Sequence, residues 1–202
     1  MTSVQETHKG RPREFDVSEA LEQAMLLFWR QGYSGTSLSD LTRAMGIAKT
    51  SMYAAFGNKE ALFRLALQRY SEGPAAYAAL ALEEPTARGV AEAFLRGAVR
   101  ATTWPGHPTG CLGVQASLVG GADDEKTRVE LLAWREHSFE RLRDRFERAV
   151  AEGDLPASAR PDMLARYLTT IANGIAVQAV GGTSESDLND VVDAALLGWP
   201  LA

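Results

Sequence analysis

Residues 36–60 read TSLSDLTRAMGIAKTSMYAAFGNKE, and this stretch decides the fold. Leu38, Leu41, Met45, Ile47 and Met52 are spaced to lock two short helices at a steep angle, with no strand alternation between them. Thr36 or Ser37 can cap the first helix, and Ser37 with Asp40 has capping-box spacing. The break Met45-Gly46-Ile47 is tight, and Gly46 is expected to supply a turn where a side chain would obstruct the crossing. The second helix, about Ala48 to Phe56, then exposes Lys49, Thr50, Ser51 and Tyr53, all able to donate hydrogen bonds. Short helices joined through a glycine-containing turn form a helix-turn-helix, whose second helix fits a major groove about 12 Å wide.

Outward from this stretch the text stays helical. Upstream, Val17, Ala20, Leu21, Ala24, Leu27 and Phe28 mark one helical face that should stop near Gly32. Residues 1–13 are polar and contain Gly10 and Pro12, which predicts a disordered basic arm carrying Arg11 and Arg13. Downstream, Asn58 caps a fourth helix running to Gly73-Pro74. An amphipathic segment spans Thr86 to Thr103, with Val90, Phe94, Leu95 and Val99 on one side. Prolines and glycines crowd 104–110, predicting a loop, after which Cys111 to Val119 reads as a short helix. A long helix extends from about Asp123 to Glu152, with Val129, Leu132, Phe139, Leu142, Phe146 and Val150 on its apolar side. Pro161 suits the first turn of a helix through Val180, and Asp187 to Leu197 completes the series. The expectation is an all-α, nine-helix, two-domain chain, with a DNA-binding unit at 14–60 and a second unit at 61–202.

Bulk properties narrow the function. Forty-six per cent hydrophobic residues over a length of 202 suffice for a real core. The first ten residues hold no apolar run, and the longest apolar stretch, Ala75 to Leu82, is far too short for a bilayer. Neither a secretory signal nor a membrane span is expected, and a single cysteine fits a reducing cytoplasm. The net charge of −5 is unevenly placed: residues 1–60 hold seven basic and seven acidic side chains, so the deficit lies downstream. A neutral head on an acidic body is compatible with phosphate binding, because only the local field within about 8 Å matters. His8, His107 and His137 are scattered, no glycine-rich phosphate loop follows a strand, and no G-x-S-x-G string occurs. No enzyme, metal or cofactor is therefore expected.

Phe28, Gly32-Tyr33, Thr36-Ser37-Leu38, Leu41, the run Met45 to Tyr53, Phe56 and Asn58-Lys59-Glu60-Ala61-Leu62-Phe63 form one pattern. By that pattern the chain resembles the TetR-type repressors. The resemblance implies a homodimer on a palindromic double-stranded DNA operator, released by a small-molecule effector. Lys49, Thr50 and Ser51 would then meet base edges or nearby phosphates. Tyr53 would clamp a phosphate, Lys59 would bind a second, and Thr36 and Ser37 would touch the DNA backbone. Ala54 and Ala55 stand where many relatives carry larger side chains, so hydrogen-bonded readout is poorer.

The resemblance further implies a ligand cavity behind the fourth helix and a four-helix dimer interface built from the last two. Small residues around Ile171-Ala172-Asn173-Gly174 and the apolar Val191, Val192, Ala195 and Leu196 suit close helix approach. Candidate cavity residues are the aromatic and polar side chains Phe94, Trp104, Trp134, His137, Phe139, Tyr167 and Gln178, joined by Cys111. At the start of a short helix Cys111 is a candidate thiolate sensor of electrophiles or oxidants; the plain alternative is a small buried hydrophobe. The rival reading is a helical binding module whose helix-turn-helix is vestigial, which predicts no salt-dependent DNA affinity.

Overall fold

A computed structural model describes residues 15–118 and 125–200. The expected arm, residues 1–13, and positions 119–124 lie outside the described residues. Ten α-helices are present among the described residues: α1 (Val17–Gln31), α2 (Leu38–Met45), α3 (Lys49–Phe56), α4 (Lys59–Glu72), α5 (Tyr77–Leu80), α6 (Ala87–Thr103), α7 (Leu112–Leu118), α8 (Glu125–Glu152), α9 (Pro161–Val180) and α10 (Glu185–Leu197). The tenth, unforeseen element is α5, continued by a 3-10 turn at Ala81–Glu83.

Local chemistry sets the helix starts. Asp16 accepts hydrogen bonds from the N–H groups of Ser18 and Glu19, and Asn58 accepts from that of Ala61. Ser37 and Asp40 form the full reciprocal capping box. Asp40 is held below the usual carboxylate value by hydrogen bonds from the Ser37 hydroxyl and N–H, with Arg43 adding to them. Pro161 opens α9 where a missing N–H costs nothing.

Two buried clusters organise the chain. The first gathers Phe28, Trp29, Leu41, Met52, Phe63 and Tyr70 from α1–α4, and extends to Leu112 and Leu131 of α7 and α8. The second is built by α6, α8, α9 and α10 around Leu95, Phe146, Leu168 and Val192. Hydrogen bonds stitch α1 and α4 to the downstream helices and loops: the Trp29 indole N–H donates to the Gly110 carbonyl at 3.0 Å, and that of Trp134 donates to Ser71 Oγ at 2.8 Å.

Helix α8 corrects the sequence reading. Val129 and Leu132, expected on its apolar side, are 53% and 48% exposed, while Leu131 is buried. Leu131 belongs to the N-terminal cluster, whereas Phe139, Leu142 and Phe146 belong to the other. Leu131, Leu142 and Ala149 are whole turns apart and share one side of the rod, and Val129 and Leu132 fall outside that side.

The same helix carries a buried cation. Arg145 is 5% exposed and donates to the carbonyls of Leu82, Glu84 and Pro85 at 3.2, 2.8 and 3.1 Å. It ties the link between α5 and α6 to α8. Arg145→Met keeps the apolar stem but strands those carbonyls, which costs about 3 kcal/mol at roughly 1.5–3 kcal/mol per charge-assisted bond less relaxation. Thermal unfolding should show Tm lower by about 6–12 °C; an unaltered Tm would mean that water replaces the guanidinium without loss.

Candidate functional site

Helix α3 is presented by its surroundings. Met52 and Phe56 are buried in the N-terminal cluster, which fixes the rotation of the helix and turns Lys49, Thr50, Tyr53 and Ala54 outward. Tyr53 is 43% exposed, and Lys49 Nζ lies 5.9 Å from its ring centre. Ser51 is half-buried at the edge of this face. The N-cap of α3 is Ala48, which offers no side-chain bond to the first turn, so the leading N–H groups stay open to an external acceptor.

The turn before α3 departs from its expected logic. Gly46 has φ +65° and ψ 26°, and a Cβ built there would meet nothing within 4 Å. Glycine is required by the left-handed backbone, not by crowding at the helix crossing.

The remaining DNA-contact candidates separate. Lys59 opens α4, with Nζ 4.1 Å from the Tyr33 ring centre. The Ser37 hydroxyl is engaged in its capping box at the exposed start of α2. Thr36 is the correction: it is 1% exposed, and its hydroxyl donates to the Gly32 carbonyl at 2.7 Å. That side chain pins the turn between α1 and α2 and cannot reach DNA without leaving the core.

Behind α4 lies a cavity of about 170 Å³. Its apolar wall is made by Ala75, Ala78, Phe94, Val114, Trp134 and Ala172. Its polar groups include Ser71 of α4, the Tyr77 phenol of α5, Ser138 of α8, and Thr169 and Asn173 of α9. On the α8 side stand Arg135, His137 and Arg141. Gly113 lets Trp134 into this wall, since a Cβ there would collide with the indole ring.

Of the expected cavity residues, Phe94, Cys111, Trp134 and His137 are brought together here. Cys111 is half-buried beside Tyr70, whose phenol is pushed up chiefly by burial and secondarily by that neighbouring thiol. The other four fall elsewhere. Phe139 is core, capped by the Arg166 guanidinium at 3.9 Å from its ring centre. Trp104 is exposed and stacks on His107 at 4.4 Å. Tyr167 faces outward and donates to the Ala195 carbonyl at 3.2 Å. Gln178 is exposed and accepts from the Thr183 hydroxyl.

Sequence reasoning missed Ser138 and Arg141, although Trp134, His137, Ser138 and Arg141 repeat at the i, i+3, i+4, i+7 spacing of one helix face. It also missed Ala75, Ala78, Thr169 and Asn173, for which no residue-type signal existed. Among the described residues no group of three or more His, Cys, Asp or Glu could hold a metal, and no helix is long and apolar enough to cross a membrane.

The model of the tetR family of bacterial regulatory proteins matches residues 20–66. The HTH-type transcriptional repressor ComR of Escherichia coli (strain K12) is 33% identical over 195 residues, spanning 95% of this chain and 92% of its own length. YezE, an uncharacterized HTH-type transcriptional regulator of Bacillus subtilis (strain 168), is 31% identical over 194 residues, spanning 93% and 97%. A cysteine mutant of the regulator CifR, solved with 26-base-pair double-strand operator DNA, is 42% identical with a TM-score of 0.90, over 95% of this chain and 100% of that one.

Proposed function

This chain belongs to the TetR family of bacterial regulatory proteins and is a DNA-binding transcriptional regulator of that type, and from this premise we propose that it is a homodimeric repressor released from its operator by a small molecule. The reading assigns DNA to residues 14–60 and sensing with dimerisation to 61–202. Base and phosphate contacts fall to Lys49, Thr50, Ser51, Tyr53 and Lys59, with Ser37 beside the backbone.

One observation carries the sensing half: the cavity is lined by Ser71 at the far end of the helix that starts at Lys59. Fourteen residues of α-helix span about 21 Å. A ligand that displaces Ser71 or its bonded partner Trp134 pushes on one end of a rigid rod whose other end sits beside the DNA-facing surface. Only a ligand with higher affinity for the displaced shape can shift the population towards release.

Dimerisation is supported by an uncovered stripe. Met163, Tyr167 and Val177 are 54%, 43% and 51% exposed and follow helical spacing on α9, with Thr170 and Gly174 small between them. A Cβ on Gly174 would meet nothing within 4 Å, so that strip is open for a close partner. Val191 and Leu197 extend the apolar surface onto α10. Two-fold pairing of this face would place two recognition helices on one duplex.

Selection of bound sites from random-sequence duplexes tests the proposal. The expected product is a palindrome with half-site centres about 34–36 Å apart, or a multiple of that; recovery of unrelated sequences would refute it. A cavity-filling change tests the sensing half. Ala172→Phe should keep affinity for the selected duplex within about threefold while abolishing its release by compounds that act on the unaltered protein. Normal release from the filled variant would place the effector elsewhere.

A further inference from the structure

The cavity wall also constrains what the effector is, on the reading that this cavity is the effector site. Size comes first. A dry apolar cavity of about 150 Å³ holds one benzene molecule, so about 170 Å³ suits a single ring or a short branched chain rather than a multi-ring compound. Phe94, Val114, Trp134 and Ala172 offer such a body no hydrogen bond other than an indole N–H already given to Ser71, and the Tyr77 phenol adds one hydroxyl to this otherwise apolar wall.

Charge comes second. Arg135, His137 and Arg141 line the cavity, and among the described residues no Asp or Glu does. This is unusual in a chain with five more acidic than basic side chains. His137 and Arg141 are exposed, which puts them at the solvent end, and Arg141 makes no ion pair among the described residues. Two other arginines of α8 are ion-paired, Arg143 with Asp144 and Glu147, and Arg148 with Glu152, while Arg145 is taken up by carbonyls. An unpaired guanidinium at the mouth of an apolar cavity attracts and orients an anion, and its planar fork matches a carboxylate. The Asn173 carboxamide, half-buried and without a hydrogen bond among the described residues, is available to a second polar atom.

We infer that the effector is a compact organic anion: one aromatic ring or a short branched chain inside the apolar wall, with a carboxylate held at the mouth by Arg141 and His137. The class rests on three things together, a one-ring volume, an apolar interior and a cationic rim without acidic neighbours in the lining.

The test uses the full-length protein, binding heats read by titration calorimetry, and three acids (benzoate, phenylacetate and 3-methylbutanoate), each paired with its neutral amide. At least one acid should bind about tenfold or more tighter than its amide. Arg141→Gln should bring the two to within about twofold, and Ala172→Phe should remove binding of both. Since Arg141 is exposed, its replacement does not threaten the core. Equal or tighter binding of every amide, an acid preference that survives Arg141→Gln, or no binding by any of the six overturns the inference. Operator release is measured separately. An acid that binds through Arg141 yet leaves the protein–duplex complex intact upholds the ligand class and refutes the effector reading. Release by amides without an acid preference does the reverse.

Discussion

Alanine at both Lys49 and Tyr53 should lower affinity for the selected duplex by about a hundredfold or more, with Tm almost unmoved. Both side chains point to solvent while Met52 and Phe56 hold the helix from behind, so the fold does not depend on them. The loss doubles because each protomer of a dimer contributes one copy: about 1.4 kcal/mol per half-site gives about 2.8 kcal/mol, or a factor of about a hundred. The slope of log affinity against log salt should also become shallower by about one phosphate contact per lysine removed. Arg148→Ala, at the far end of α8, is the control and should leave both quantities alone. A double variant that binds as tightly as the starting protein would remove α3 from the interface.

A charge at the C-terminal end of the α9 stripe should have a larger effect. Val177→Glu puts a carboxylate on each side of a two-fold face that Met163 and Tyr167 otherwise keep apolar. Burying two like charges against each other costs several kcal/mol, so the protomers should separate. Folding of each protomer should persist, because Val177 is half exposed and absent from both buried clusters. Once separated, each recognition helix binds alone and forfeits the avidity of the pair, a loss of about 10²–10⁴ in affinity. Sedimentation equilibrium and a duplex titration on one sample read both effects. A variant that stays dimeric places the interface elsewhere, and a monomer with undiminished affinity denies that pairing matters.

The helix-turn-helix was legible because its determinants are local. Ser37 with Asp40, Asn58, and the spacing of Leu41, Met45 and Met52 each act within one or two turns of chain. Helix α5 was not legible, because Ala75–Leu82 is apolar on every side and shows no period. Long-range packing holds it: the Tyr77 ring lies against Phe94, and a Cβ on Gly97 would strike that ring at 2.5 Å. The cavity was half legible. Choosing large aromatic residues found Phe94 and Trp134 but also took Phe139, which fills the core, and Tyr167, which faces outward. A cavity is defined by missing volume as much as by its walls. Ala75, Ala78 and Ala172 contribute by being small, and helices α4 to α9 must be assembled before that shows. Thr36 failed for a related reason. A hydroxyl at the start of a helix looks the same in sequence whether it meets a phosphate or the Gly32 carbonyl.

Amide hydrogen exchange with and without the selected duplex tests the central claim most directly. Bound DNA should slow exchange over residues 49–56 and in the first turn of α4, where on this proposal α3 would enter the groove and Lys59 would meet a phosphate. Saturating duplex that leaves those amides unprotected, with slowing only along α8 or α10, would show that the protein grips DNA with another surface.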